Sequence, residues 1–246
     1  MKVIRNYLYN VGYQVLAIIV PLITSAYVAR VLRPEGVGAN AFTNSVIQYF
    51  ILFASMGIGY YGNRQIAYVR GNQQKMANTF WEIQIVKTIM TLIAFIAFEV
   101  FMIFYTKKPE YMWAQSINLV AVAFDISWFY EGIEDFKVTV LKNSFVKIVS
   151  MIAIFIFIKG PNDVTLYIAV LAISTLLGNL TLWPNIRRDL PKVNFKSLNP
   201  WPHFLPMIEL FVPQIAIQVY VQLNRTMLGV MVDETAAGFY QYSDSL

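Results

Sequence analysis

From Tyr7 onward the chain alternates long apolar runs with short polar interruptions, and seven of the runs reach or approach spanning length. A helix needs about 20 apolar residues to cross roughly 30 Å of hydrocarbon. The runs extend over Tyr7 to Ala29, Ala39 to Gly62, Phe80 to Tyr105, Trp113 to Gly132, Ser144 to Ile158, Val164 to Trp183 and Phe204 to Val230. They predict an all-α fold, a polytopic transmembrane helix bundle of about seven spans. The fifth run is the shortest and is expected to extend back through Lys147, whose stem can carry its ammonium group to the interface. Lys2 and Arg5 precede the first run, but its length and the lack of a small-residue cleavage site predict a retained helix rather than a signal peptide. Because the other loops are short, successive helices are expected to be antiparallel neighbours.

Polar positions inside these runs form stripes. Asn6, Asn10, Gln14 and Thr24 share a face of the first, with Pro21 loosening the backbone. The second carries Asn40, Asn44, Gln48, Ser55, Gly59 and Asn63 at helical spacing, and the seventh carries Gln214, Gln218, Gln222 and Arg225 beside Pro213. Lipid offers an amide no partner, so each stripe faces another helix or a wet cavity. Interhelical hydrogen bonds, worth about 0.6 kcal/mol per pair, would account for isolated amides. Three long stripes point instead to a solvated cavity.

The ionisable residues divide by depth. Lys87 lies about two turns into the third run, on a face with Gln84, Thr88 and Thr91, where snorkelling and function explain it equally well. Arg225 is near the outer end of the seventh, with the same two readings, and Glu99 has an interfacial position. Glu131, Glu134 and Asp135 crowd the inner end of the fourth run, where Lys137 offsets them. Asp125 differs, since it stands in the middle of that run, beyond easy snorkelling. Insertion there costs about 2.5–3.5 kcal/mol, which calls for a functional or buried-pair role.

Composition agrees with a membrane bundle: 57% of residues are hydrophobic, 13% are charged and the mean hydropathy is +0.53. No cysteine and a single histidine, His203, remove disulfide frameworks, thiol nucleophiles, Cys/His zinc sites and Ser-His-Asp triads. The net charge of +5 comes from scattered basic residues with no interleaved aromatics, so nucleic acid is not expected as a partner. Eleven basic residues fall in one set of loops and five in the other, which places the N-terminus in the cytoplasm. The longest polar interruption, with Pro191, Pro200 and Pro202, divides the chain into an N-terminal six-helix bundle (1–186), a cytoplasmic linker (187–203) and the start of a second bundle (204–246). An internal echo at an offset of 200 supports that division. Arg33-Pro34-Glu35-Gly36-Val37-Gly38 is shadowed by Asp233-Glu234-Thr235-Ala236-Ala237-Gly238, and Gln14 falls opposite Gln214. Coincidence among small and polar residues is the alternative.

The run from Asp125 to Phe136 (Asp-Ile-Ser-Trp-Phe-Tyr-Glu-Gly-Ile-Glu-Asp-Phe), followed by Lys142-Asn143, resembles the fourth-helix signature of Wzx-type polysaccharide flippases. Gly62-Asn63-Arg64-Gln65-Ile66-Ala67 and Leu223-Asn224-Arg225-Thr226-Met227-Leu228-Gly229 agree, in order along the chain. The resemblance implies the MOP exporter superfamily, in which two pseudo-symmetric six-helix bundles enclose a cavity of alternating access. It also implies a multi-pass bacterial cytoplasmic membrane protein, not an enzyme, that flips undecaprenyl-pyrophosphate-linked oligosaccharides for O-antigen, capsule or exopolysaccharide assembly. The partners so implied are the lipid-linked oligosaccharide, the bilayer and other polysaccharide assembly proteins. No cofactor or metal is implied beyond a coupling proton or sodium ion. On this reading the chain holds one bundle and the start of the next, and is expected to be an N-terminal portion or a truncated reading frame.

Lys87 and Arg225 would face the pyrophosphate, with Arg30 and Arg33 at the outer mouth. Gln14, Asn44, Gln48, Gln218 and Gln222 would face sugar hydroxyls. Asp125 and Glu131 would bind the coupling ion or pair with the cations. A MATE-like drug exporter, with an acidic cavity for organic cations, is the nearest alternative. A membrane polysaccharide polymerase or glycosyltransferase subunit is a further one, for which the long outer loop or DxD-type site is missing.

Overall fold

The first predicted run and the second are joined without a loop. Pro34 bars the residue before it from the helical region, and Arg33 accordingly takes φ 61°, ψ 172° inside helix α1 (Lys2–Ser55), folding it into two arms. The computed structural model describes residues 2–105 and 107–244, with side chains at all of them except residues 2–10, 12–14, 16, 17, 187, 242 and 244. After a left-handed turn at Met56 and Gly57 the chain resumes as α2 (Ile58–Val69). Asn72 caps the next helix, α3 (Gln73–Phe104), by accepting from the Lys75 N–H.

The fourth predicted run is not one helix. It divides into α4 (Pro109–Phe124) and the short α5 (Ser127–Gly132), with Asp125 at the joint rather than in the middle of a continuous span. Then follow α6 (Phe136–Phe157), which reaches back past Lys147 as its snorkelling stem allows, and α7 (Val164–Leu180). A short α8 (Trp183–Asp189) and a 3-10 turn at Phe195–Ser197 lead to α9 (Trp201–Met231) and α10 (Glu234–Asp244). Among the described residues all regular structure is helical.

Among the described residues, five helical stretches are long and apolar enough to cross a membrane: Ile18–Val69, α3, α6, Val164–Ile186 and α9. The first of them takes in both arms of α1 from Ile18 onward and α2, and α4 (16 residues) is shorter than a full span. The chain is a polytopic, all-α membrane protein. Its large apolar side chains point outward where lipid would cover them, as at Ile96, Ile103 and Phe104 on α3 and Ile152, Ile156 and Phe157 on α6. Inside, the apolar contacts form separate clusters. The largest joins Phe80 of α3, Trp128, Phe129 and Tyr130 of α5, and Leu182 and Ile186 of the α8 region, with Met207 and Phe211 of α9.

The echo at offset 200 has a geometric counterpart. The kink at Arg33 and the gap between α9 and α10 fall at equivalent positions, and the helices that follow cross at Gly38 and Gly238. A Cβ on Gly38 would stand 1.7 Å from the Glu234 carbonyl oxygen, and one on Gly238 would stand 2.9 Å from that of Pro34. Residue 38 therefore meets 234 as 238 meets 34, the reciprocity of a two-fold contact. Only glycine lets two backbones approach so closely.

Candidate functional site

The joint between α4 and α5 frees backbone carbonyls inside an apolar bundle, where each unpaired group is costly. Every one from Ala121 to Ile126 has a donor. Asn179 of α7 donates to Ala121 O at 2.7 Å, and Asp125 N donates to Val122 O at 3.1 Å. Gln84 of α3 donates to Ala123 O at 2.8 Å and the Trp183 indole to Phe124 O at 2.8 Å. Lys87 of α3 donates its ammonium to Asp125 O, and Phe129 N closes on Ile126 O at 3.1 Å. The interruption is thus held by side chains from three other helices.

The same joint sets the Asp125 carboxylate. Its Oδ1 accepts from Ser127 N at 3.1 Å and Ser127 Oγ at 2.6 Å, an Asx-type cap. Lys142 of α6 donates to Ser127 Oγ at 2.9 Å and lies 3.5 Å from Asp125 Oδ1. The Asp125 side chain is 40% exposed and that of Lys142 only 11%, so the acid is the more open of two residues that border the same space.

That space is a cavity of about 390 Å³ between α1, α4, α6 and α7. Asn40, Asn44 and Gln48 line one wall, Gln115, Asn118 and Asp125 a second, and Thr175 and Asn179 a third. The amides are tied together: Gln115 donates to Asn40 Oδ1 at 3.2 Å, Asn118 to Gln115 Oε1 at 2.9 Å and Gln48 to Asn44 Oδ1 at 3.1 Å. A second cavity, of about 720 Å³, adjoins the first through Asn40 and Asn44 and is bordered by Thr24, Ser25, Arg225 and Gln241. Such a lumen offers donors and acceptors around its perimeter and, among the described residues, the cations Lys142 in the first cavity and Arg225 in the second.

Of the residues singled out from sequence, Asn44, Gln48 and Asp125 meet at the first cavity, and Arg225 borders the second with Asn44. Lys87 is buried and donates to the Asp125 backbone carbonyl, which brings its charge to the same residue, and Lys142 stands 3.5 Å from Asp125 Oδ1. Glu131 faces Asn63 of α2 at 3.5 Å and borders neither cavity. Gln218 is exposed, Gln222 is buried, and both lie off the two cavity walls. Gln14, with Asn6 and Asn10 of its stripe, lies outside the described side chains. Gln115, Asn118, Lys142, Thr175 and Asn179 were missed. The spacing of Gln115 with Asn118, and of Thr175 with Asn179, carries the same stripe signal as the second run; Lys142 carries no local signal.

A family described as polysaccharide biosynthesis protein matches residues 3–246. An Escherichia coli K12 protein named "Putative O-antigen transporter" is 22% identical over 247 residues, covering 98% of this chain and 60% of the relative. A Shigella dysenteriae protein of the same name is 22% identical over 238 residues, covering 92% of this chain and 58% of the relative. The chain therefore spans about 60% of the length of the first of these curated relatives, and slightly less of the second. No solved structure matches the chain.

Proposed function

As the chain belongs to the polysaccharide biosynthesis protein family, we propose that it is a flippase, or the greater part of one, for lipid-linked oligosaccharide repeat units in a bacterial cytoplasmic membrane. The observation that carries this reading is the amide-lined cavity at the broken fourth span, next to a second cavity bordered by Arg225. Sugar hydroxyls need many weak donors and acceptors in place of water, which the Asn40, Asn44, Gln48, Gln115 and Asn118 network supplies. A pyrophosphate group needs a cation, and Arg225 provides a fork of donors suited to phosphate oxygens. The lipid tail would stay in the bilayer against the exposed apolar faces of the helices. Discontinuous helices near the middle of a bundle are a recurrent feature of transporters whose cavity opens alternately to the two sides. In this scheme no covalent bond is made or broken, and the N-terminus lies in the cytoplasm.

Deleting the gene in its host tests the reading. The expected result is loss of one surface polysaccharide with lipid-linked repeat units accumulating on the inner leaflet. Normal surface polysaccharide and no accumulation would overturn it.

A further inference from the structure

We infer that Asp125 is a specificity-determining residue of the sugar site, accepting hydrogen bonds from a neutral, donor-rich sugar, such as an N-acetylhexosamine, and discriminating against uronic acids. The inference rests on the proposed flippase function and deepens it. Three features of the joint carry it. First, the two oxygens of the carboxylate are used differently. Oδ1 holds Ser127 N and Oγ and faces Lys142, whereas Oδ2 has no hydrogen-bond partner among the described residues, on a side chain 40% exposed in the cavity. An ionised carboxylate is an acceptor only, with room for about four hydrogen bonds, so the bare oxygen is matched by a ligand O–H or N–H.

Second, the neighbouring cations are engaged with the protein. Lys87 is 4% exposed and donates to Asp125 O, and the Lys142 side chain, 11% exposed, donates to Ser127 Oγ. Lys87 is withdrawn from the cavity and Lys142, at its wall, is turned to Ser127 Oγ and Oδ1, so Oδ2 is the atom of the group left without a partner. Third, the surrounding wall is made of amides already linked to one another, which pair with hydroxyl and acetamido groups as readily as with water. A uronate placed against Oδ2 sets two acceptor-only, like-charged groups face to face, and such an arrangement discriminates by repulsion rather than by attraction alone. Ser127 and Lys142 act as positioning residues, since they fix the rotamer of Asp125.

The test uses two strains that lack their own flippase, one assembling a repeat unit of neutral N-acetylhexosamines and one a repeat unit with a uronic acid at the same position. Wild-type protein should yield about tenfold more surface polysaccharide in the first strain than in the second. Asp125→Asn, which turns the acceptor into a group that also donates, should bring the two to within about twofold, chiefly by raising the uronate strain. A misfolded variant would lower both, so this gain separates specificity from folding. Asp125→Glu should keep the preference, and Ser127→Ala, which releases the carboxylate to rotate, should weaken it at unchanged expression. Equal export of both repeat units by wild type, or a preference unaltered in Asp125→Asn, would overturn the inference and leave the flippase reading standing. Export of neither by wild type would overturn both.

Discussion

Two of the interruptions in the helices of this protein are satisfied by opposite means. At Asp125 the chain leaves the helix deep in the bundle, and the freed carbonyls are met by side chains of α3, α7 and α8, namely Gln84, Lys87, Asn179 and Trp183. At Arg33 the cause is local, a residue forced out of the helical region by Pro34, and the consequence is backbone packing, with Gly38 set against α10 and Gly238 against α1. The first break opens polar groups onto a cavity. The second uses its bend to bring two backbones together. Substitutions at the one should therefore be felt as lost hydrogen bonds, and at the other as lost geometry.

The largest effect is expected at the glycine crossing. Gly38→Ala puts a Cβ 1.7 Å from the Glu234 carbonyl oxygen, backbone that cannot swing aside, so α1 and α10 must separate. The cost should exceed the roughly 1–3 kcal/mol of ordinary overpacking, visible as loss of the monodisperse peak in detergent gel filtration. Gly238→Ala, whose nearest atoms stand at 2.9 Å, should retain a peak with lowered thermal stability. If both variants behaved as wild type, the crossing would not be a fixed contact, and the contrast between the two breaks would fail.

Next in size is Lys87→Met. It removes the buried donor to Asp125 O, and an acceptor orphaned inside the bundle costs about 1–3 kcal/mol. Thermal unfolding in detergent measures it. A change within error would mean that the joint rearranges to find another donor. Asn179→Leu, which orphans the buried Ala121 O at the same joint, is expected to cost a similar amount, about 1–3 kcal/mol.

Much of the bundle is legible in the sequence because hydrophobic length is a strong constraint and lipid enforces it. The second run's amides are legible for the same reason: Asn40, Asn44 and Gln48 recur at one face, and that face is the cavity wall. The break at Asp125 is harder to see. Its flanks are apolar enough for a continuous helix, and the side chains that make an interruption tolerable lie 38, 39, 58 and 59 positions away in sequence from the carbonyls they meet. Lys142 shows the limit most clearly. Counted among loop charges, it is carried by the turn after α5 onto α6 and back to Asp125, a contact that no local spacing announces. The echo at offset 200 lies between these cases, since similar residues mark it but only the reciprocal approach of Gly38 and Gly238 gives it physical content.

The smallest effect tests whether the capping at Asp125 is uniform around the joint. Trp183 donates its indole N–H to Phe124 O, but this bond is at an exposed position, unlike those of Asn179 and Lys87. Its ring also packs against Phe80, Trp81 and Phe124, with centroids 6.3 to 6.4 Å apart. Trp183→Phe keeps the ring and deletes the donor, and water can then reach the Phe124 carbonyl, so the loss should stay within about 0.5 kcal/mol. Trp183→Ala deletes both and should cost several times more through the lost aromatic contacts. Thermal unfolding of the pair separates the two contributions. If Trp183→Phe alone matched the loss in Lys87→Met, the outer rim of the joint would be as dry as its centre, and the cavity would have to be sealed from the α8 side.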